Sequence, residues 1–167
     1  MESGSEKTFN ILGNPIDEIE EIVSAYELNF SRNHLYELIL THNGIWNNYE
    51  VSFNWYQSKS LICINNNLNI KIPKNLVNKL QKMIAIINDN ILLGYFGFSV
   101  KSNSLYFRYN LSMRGVNNLS TEQIEDFIDI ITEECDKYYP AFQIFIHKKK
   151  DAEFAIKSAL LETLGEA

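Results

Sequence analysis

The residues able to do chemistry are few and scattered. His34, His42 and His147 have no metal-ligand neighbour at the spacing of a zinc site, and a polar role at a strand edge suits His34 and His42 better. Cys63 and Cys135 lie far apart inside apolar segments, so they do not read as a disulfide framework. Cys135 falls on a helical apolar stripe, where a thiol acts as a small hydrophobe. Glu122, Glu125, Asp126, Asp129, Glu133 and Asp136 recur at helical spacing and read as the wet side of one amphipathic helix, with a surface for a basic partner as the other reading. Carboxylate metal sites need convergence from several elements, not one helix. Arg108 and Arg114 flank Tyr109 to Met113 and could hold an anion, although pairing with the acidic helix that follows is favoured. No phosphate loop, dinucleotide fingerprint or nucleophile elbow occurs; Gly94 and Gly97 sit at the opening of a strand. No catalytic residue, cofactor or metal is therefore expected.

Charge narrows the partners. The net charge of −6 repels a polyanion at long range. The basic run Lys148-Lys149-Lys150 adjoins Asp151 and Glu153 and reads as a solvated turn, so no nucleic acid is expected. Apolar residues make up 46% and charged residues 22%, the composition of a globular domain. No apolar run approaches the roughly 18–20 residues that span a bilayer, because Asn88-Asp89-Asn90 interrupts the longest candidates. Met1 to Ser5 is polar and lacks the marks of a secretory leader. The expected location is the bacterial cytoplasm, with no membrane partner.

The elements that would position these residues follow from periodicity. Asn14-Pro15 caps a helix over 15–26, with Ile16, Ile19, Ile22 and Val23 on one face. Strands follow at Leu28 to Ser31 and Leu35 to Thr41, and Asn43-Gly44 signals a hairpin through residues that tolerate positive φ. Tyr49, Val51, Phe53 and Trp55 alternate with polar residues, and Leu61 to Ile72 makes a further strand with an irregularity at Asn65 to Asn67. A helix spans 74–92 with Gly94 beyond its end, followed by a hairpin of Tyr95 to Val100 and Leu105 to Ser112. Ser120 and Gln123 form a capping box for a third helix that Pro140 should kink or break, and Asp151 caps a final one carrying Phe154, Ala155, Ala159, Leu160 and Leu164. The expected fold is α+β: an antiparallel sheet packed with helices in one domain over 14–167, behind a flexible tail over 1–13. Trp46, Trp55, Tyr56, Phe96 and Phe98 lie on or near strands; packing in the core is the default for them, and any that stays exposed marks an interface.

Several ordered motifs carry a resemblance. They are Asn14-Pro15-Ile16-Asp17, Gly44-Ile45-Trp46, Ile70-Lys71-Ile72-Pro73-Lys74, Leu93 to Phe98, Phe107 to Gly115, Glu134 to Gln143 and Leu161 to Ala167. Together they resemble the YbjN family, described as bacterial sensory transduction regulators, over about residues 14–167. Lys148 to Lys150 departs from it, where relatives tend to be glycine-rich. The resemblance implies a fold like that of type III secretion chaperones, often dimeric, with no catalytic residues to carry over. The leading expectation is a non-enzymatic, homodimeric module that binds another protein as a chaperone-like or regulatory adaptor, using an open sheet edge. Trp46, Trp55, Tyr56, Phe96, Phe98, Arg108 and Arg114 are its candidate interaction residues. The alternative is a small-molecule or anion sensor using Arg108 and Arg114.

Overall fold

The Asn14 side chain accepts from the Ile16 amide and starts α1, Pro15–Ala25, as the Asn-Pro pair requires. The structure, a computed structural model, describes residues 13–165, with side chains as far as 161. Apart from Gly13 the expected tail lies outside the described residues, as do the side chain of Leu164 and most of the motif from Leu161 to Ala167. The strands are β1, Asn29–His34; β2, Glu37–Asn43; β3, Asn48–Tyr56; and β4, Leu61–Asn67. After α2, Val77–Asn88, come β5, Tyr95–Ser99, and β6, Ser104–Ser112. Helices α3, Thr121–His147, and α4, Ala152–Gly165, close the order. The six strands form one antiparallel sheet in the order β1-β2-β3-β4-β6-β5. The α+β expectation and the element order therefore hold.

One face of the sheet is the core. The pleat turns Leu38, Leu40, Tyr49, Val51, Phe53, Ile62, Ile64, Leu105 and Phe107 inward, and α1 and α3 cover them. The α4 helix packs on α3 and α2. Phe96 sits edge-on to Phe107, Tyr138 and Phe142 at centroid distances of 5.0, 5.8 and 5.3 Å, tying β5 and β6 to α3. At the other end, Arg32 of β1 binds Asp17 and Glu20 of α1, and Glu18 accepts from the Leu119 amide 2.8 Å away.

The strand expected over Leu61 to Ile72 ends at Asn67, and Asn65 to Asn67 pair with β6 in continuous register instead of forming an irregularity. Three further local expectations change. Pro140 does not break α3, which runs unbroken for 27 residues through it. Its ring removes only the amide that would donate to the Asp136 carbonyl, and burial of the helix on both sides of Pro140 outweighs that loss. The Asn43-Gly44 hairpin forms, but as a four-residue loop, because Asn43 pairs with Asn48. Neither Asn43 nor Gly44 has positive φ. Glycine is needed for another reason: a Cβ on Gly44 would stand 2.2 Å from the Tyr49 ring and 2.7 Å from Asp136 Oδ1.

Asp136 is the third change. It does not share the wet side of α3 with Glu122, Glu125, Asp126, Asp129 and Glu133, all of which are accessible; it is buried. The Tyr49 hydroxyl donates to its Oδ1 at 2.6 Å and the Ile45 amide to its Oδ2 at 2.9 Å. A carboxylate taken out of water needs such donors, and here they come from the β2–β3 hairpin. This clamp seats the loop that presents Ile45 and Trp46 to solvent.

Gly44→Ala should destabilise the chain by about 1–3 kcal/mol in urea denaturation, because the added methyl has no room without displacing Tyr49 or Asp136. Asp136→Asn should cost about 2–3 kcal/mol in the same assay by weakening two charge-assisted bonds. Burial, then the hydrogen bond and charge of Asp136, holds the Tyr49 phenol above its ordinary 10.0. Burial likewise pushes the Cys135 thiol from 9.0 up to about 12. Folding thus favours both protonated forms, so stability is full below about pH 9 and falls as pH rises beyond each group's ordinary value. Urea melts at pH 8 and above pH 10 should show that loss, and Tyr49→Phe should flatten the part above 10.

Candidate functional site

The same pleat that fills the core leaves a second sheet face without a covering helix among the described residues. Across its middle, adjacent strands align Ile39, Ser52, Asn65, Arg108 and Tyr95. Beside that row stand Asn54, Cys63 and Asn110 on one flank and Asn67, Tyr106 and Gly97 on the other. Tyr56 closes the face at the end of β3, half exposed.

Arg108 organises the middle of this face. Its Nε donates to Asn65 Oδ1 at 3.3 Å, and its guanidinium carbon lies 4.5 Å from the centroid of the Tyr106 ring. The Tyr106 ring in turn lies over Gly97, where a Cβ would come within 2.4 Å of it. Arginine is thus stacked and half-buried on a face whose carboxylates, Glu37 and Glu50, stand on β2 and β3 rather than on its own or the adjoining strands, and it is able to meet a carboxylate or a carbonyl of a docking chain.

The two edges of the sheet differ. At β5, Asn88 of α2 accepts from the Phe96 amide at 2.8 Å and donates to the Phe96 carbonyl at 3.0 Å. That amide side chain occupies backbone groups a further strand would use. At the opposite edge, β1 pairs among the described residues with β2 alone and has an irregular register between Ser31 and His34.

The candidate residues divide accordingly. Trp46 is exposed at the β2–β3 loop and Tyr56 lies on the open face. Trp55 and Phe96 are in the core, 6% and 1% exposed, because odd positions of β3 and even positions of β5 point to the helices; they do not offer contact surface. Phe98 is partly buried against that core. Arg108 is on the open face, whereas Arg114 is exposed beyond the end of β6, so the two arginines have separate surroundings. Neither is ion-paired to α3 among the described residues. Tyr95, Tyr106 and Cys63 belong to the open face and were missed by sequence reasoning. The signal was available for Tyr106, two positions before Arg108 on the same strand. Tyr95 and Cys63 required the strand register.

The thiols are poor nucleophiles in these surroundings. Cys135 is buried and accepts from the Asn66 amide at 3.2 Å. Cys63 is half-buried, and burial raises it above its ordinary value against the opposing pull of Arg108. Among the described residues no group of three or more His, Cys, Asp or Glu side chains is placed to hold a metal ion, and no helix is long and apolar enough to cross a membrane.

Residues 15–143 match the model of the YbjN family, described as "Putative bacterial sensory transduction regulator". The fold is similar to the crystal structure of YbjN from E. coli, at 15% identity and a TM-score of 0.50 over 93% of this chain and 96% of that one. It is also similar to the structure of the HopA1–SchA chaperone–effector complex, at 10% identity and a TM-score of 0.51 over 72% of this chain and 90% of that one. Both likenesses are of fold. No curated protein matches the chain.

A thiol-reactive dye should separate the two cysteines. Cys63 should label in the native protein, slowly, and Cys135 only at the rate of unfolding. Native labelling of Cys135, read by peptide mass, would show that its burial is not maintained in solution.

Proposed function

The chain belongs to the YbjN family, and from that premise we propose that it is a non-enzymatic protein-binding module, a chaperone-like or regulatory adaptor of the bacterial cytoplasm that works as a homodimer. The observation that carries this reading is the open sheet face, where Tyr56, Tyr95, Tyr106 and Arg108 lie accessible or half-buried with no helix over them among the described residues. Tyrosine and arginine are the residue types that concentrate binding energy at protein interfaces. The β1 edge, which no other described strand pairs, offers backbone groups to an added strand, from a partner or from a second copy. The chaperone-like α+β fold supports the reading, as do thiols raised away from nucleophilic use.

Capture of the tagged chain from its native cells, followed by mass spectrometry, tests this. The wild type should retain a stoichiometric protein partner, and Tyr56→Ala/Tyr95→Ala/Arg108→Ala should lose it while keeping the wild-type circular dichroism spectrum. Recovery of the chain alone, in repeated captures, would remove the adaptor reading. Native mass spectrometry should show a species at twice the chain mass; a monomer at every concentration would remove the dimer.

A further inference from the structure

Away from the open face, the corner between α3 and α4 meets the start of α2. There Lys79 and Lys82 of α2 and Lys149 and Lys150 of the α3–α4 turn line one cavity of about 470 Å³, together with Asn75, Asp151 and Glu153. Leu76, Phe145 and Ala152 form its apolar wall. The lysine run that reads as a solvated turn in the sequence is therefore half of a basic pocket, completed by a helix roughly seventy positions earlier in the chain.

The charge around this pocket is out of balance. Four ammonium groups face two carboxylates, a local excess of two positive charges in a chain whose net charge is −6. The carboxylates do not neutralise them: none of the four lysines is within ion-pair distance of an acidic group among the described residues. Asp151 is occupied as a helix cap, its Oδ1 accepting from the Phe154 amide at 2.9 Å. Lys150 lies 5.4 Å from the Phe154 ring centroid, which offers a weak attraction and no counter-charge. Like charges gathered within a Debye length repel one another, and a multivalent anion between them reverses the sign of that interaction.

We propose that this pocket binds a small organic diphosphate, of the kind a nucleoside diphosphate represents. Lys79 and Lys82 stand one helical turn apart and engage one phosphoryl group, while Lys149 and Lys150 engage the other from the facing turn. The volume exceeds that of a single phosphate and lies in the range of small-molecule sites. Leu76 and Ala152, each 7% exposed, floor the pocket with little apolar surface, so the two phosphoryl groups carry the binding. The site shares no residue with the open sheet face, so its test stands apart from partner capture.

Isothermal titration and two-dimensional amide NMR of the full chain with ADP, inorganic pyrophosphate and inorganic phosphate provide the test. ADP and pyrophosphate should bind saturably at one site, with shifts centred on residues 75–82 and 148–153. Phosphate should bind at least tenfold more weakly, and 0.5 M salt should weaken all three. Lys79→Gln/Lys82→Gln and Lys149→Gln/Lys150→Gln should each reduce affinity at least tenfold; all four side chains are exposed, so both variants should fold. Absence of saturable binding by ADP and pyrophosphate at millimolar concentration would overturn the proposal. Binding unchanged in both double variants would overturn it as well, as would binding of an acidic peptide alone, which would make the pocket a protein contact.

Discussion

A buried carboxylate holds the two layers of this protein in register. Asp136 stands on the long helix, and its two oxygens are satisfied by the Tyr49 hydroxyl and the Ile45 amide of a hairpin. Exposing one donor would leave a charge in the core without its partner, a cost comparable to much of a small domain's stability. The constraint propagates: Gly44 must lack a side chain so that the carboxylate can approach, and Tyr49 must point inward. Once Tyr49 is fixed, the period-two pleat decides the direction of every residue on β3, and the cross-strand pairs carry that decision through the sheet.

The assignment of faces is thus also an assignment of roles. Inward positions carry large aliphatic and aromatic side chains that α1 and α3 cover. Outward positions are mostly polar, with asparagine, serine, glutamate, tyrosine and a stacked arginine around the half-buried Ile39 and Cys63. Asn88 caps the backbone at Phe96 and occupies that edge, whereas β1 is the edge that no other described strand covers.

Charge is distributed with equal economy. The accessible carboxylates of α3 line the side of the helix away from the core, and Glu125 and Asp129 border a groove of about 320 Å³ with Tyr26 and His42. The lysines collect at the opposite end of the same helix, where α3 turns into α4. A chain that is acidic as a whole thereby keeps one basic corner, so its average charge does not describe every surface it presents.

Much of the fold was legible in the residues because its signals are local. Asn14-Pro15, the Ser120–Gln123 capping box and the Asp151 cap each satisfy amides within three positions, and the structure shows all three. The alternation from Tyr49 to Trp55 marked a half-buried strand, and β3 has that burial pattern. The site was less legible. Tyr56 and Trp46 belong to the surface, as an interface reading requires, but Trp55 and Phe96 are consumed by the core. Composition cannot separate them, since an aromatic residue on a strand suits either face. By itself the sequence determined the kind and order of the elements, through hydrophobic period and capping chemistry that act over a few residues. Tertiary structure alone decided that Asp136 is buried against Tyr49, that Tyr95 lies beside Arg108, and that Lys79 and Lys82 meet Lys149 and Lys150. Each of those meetings joins positions remote in the chain, and only the packing of layers sets the distance between them.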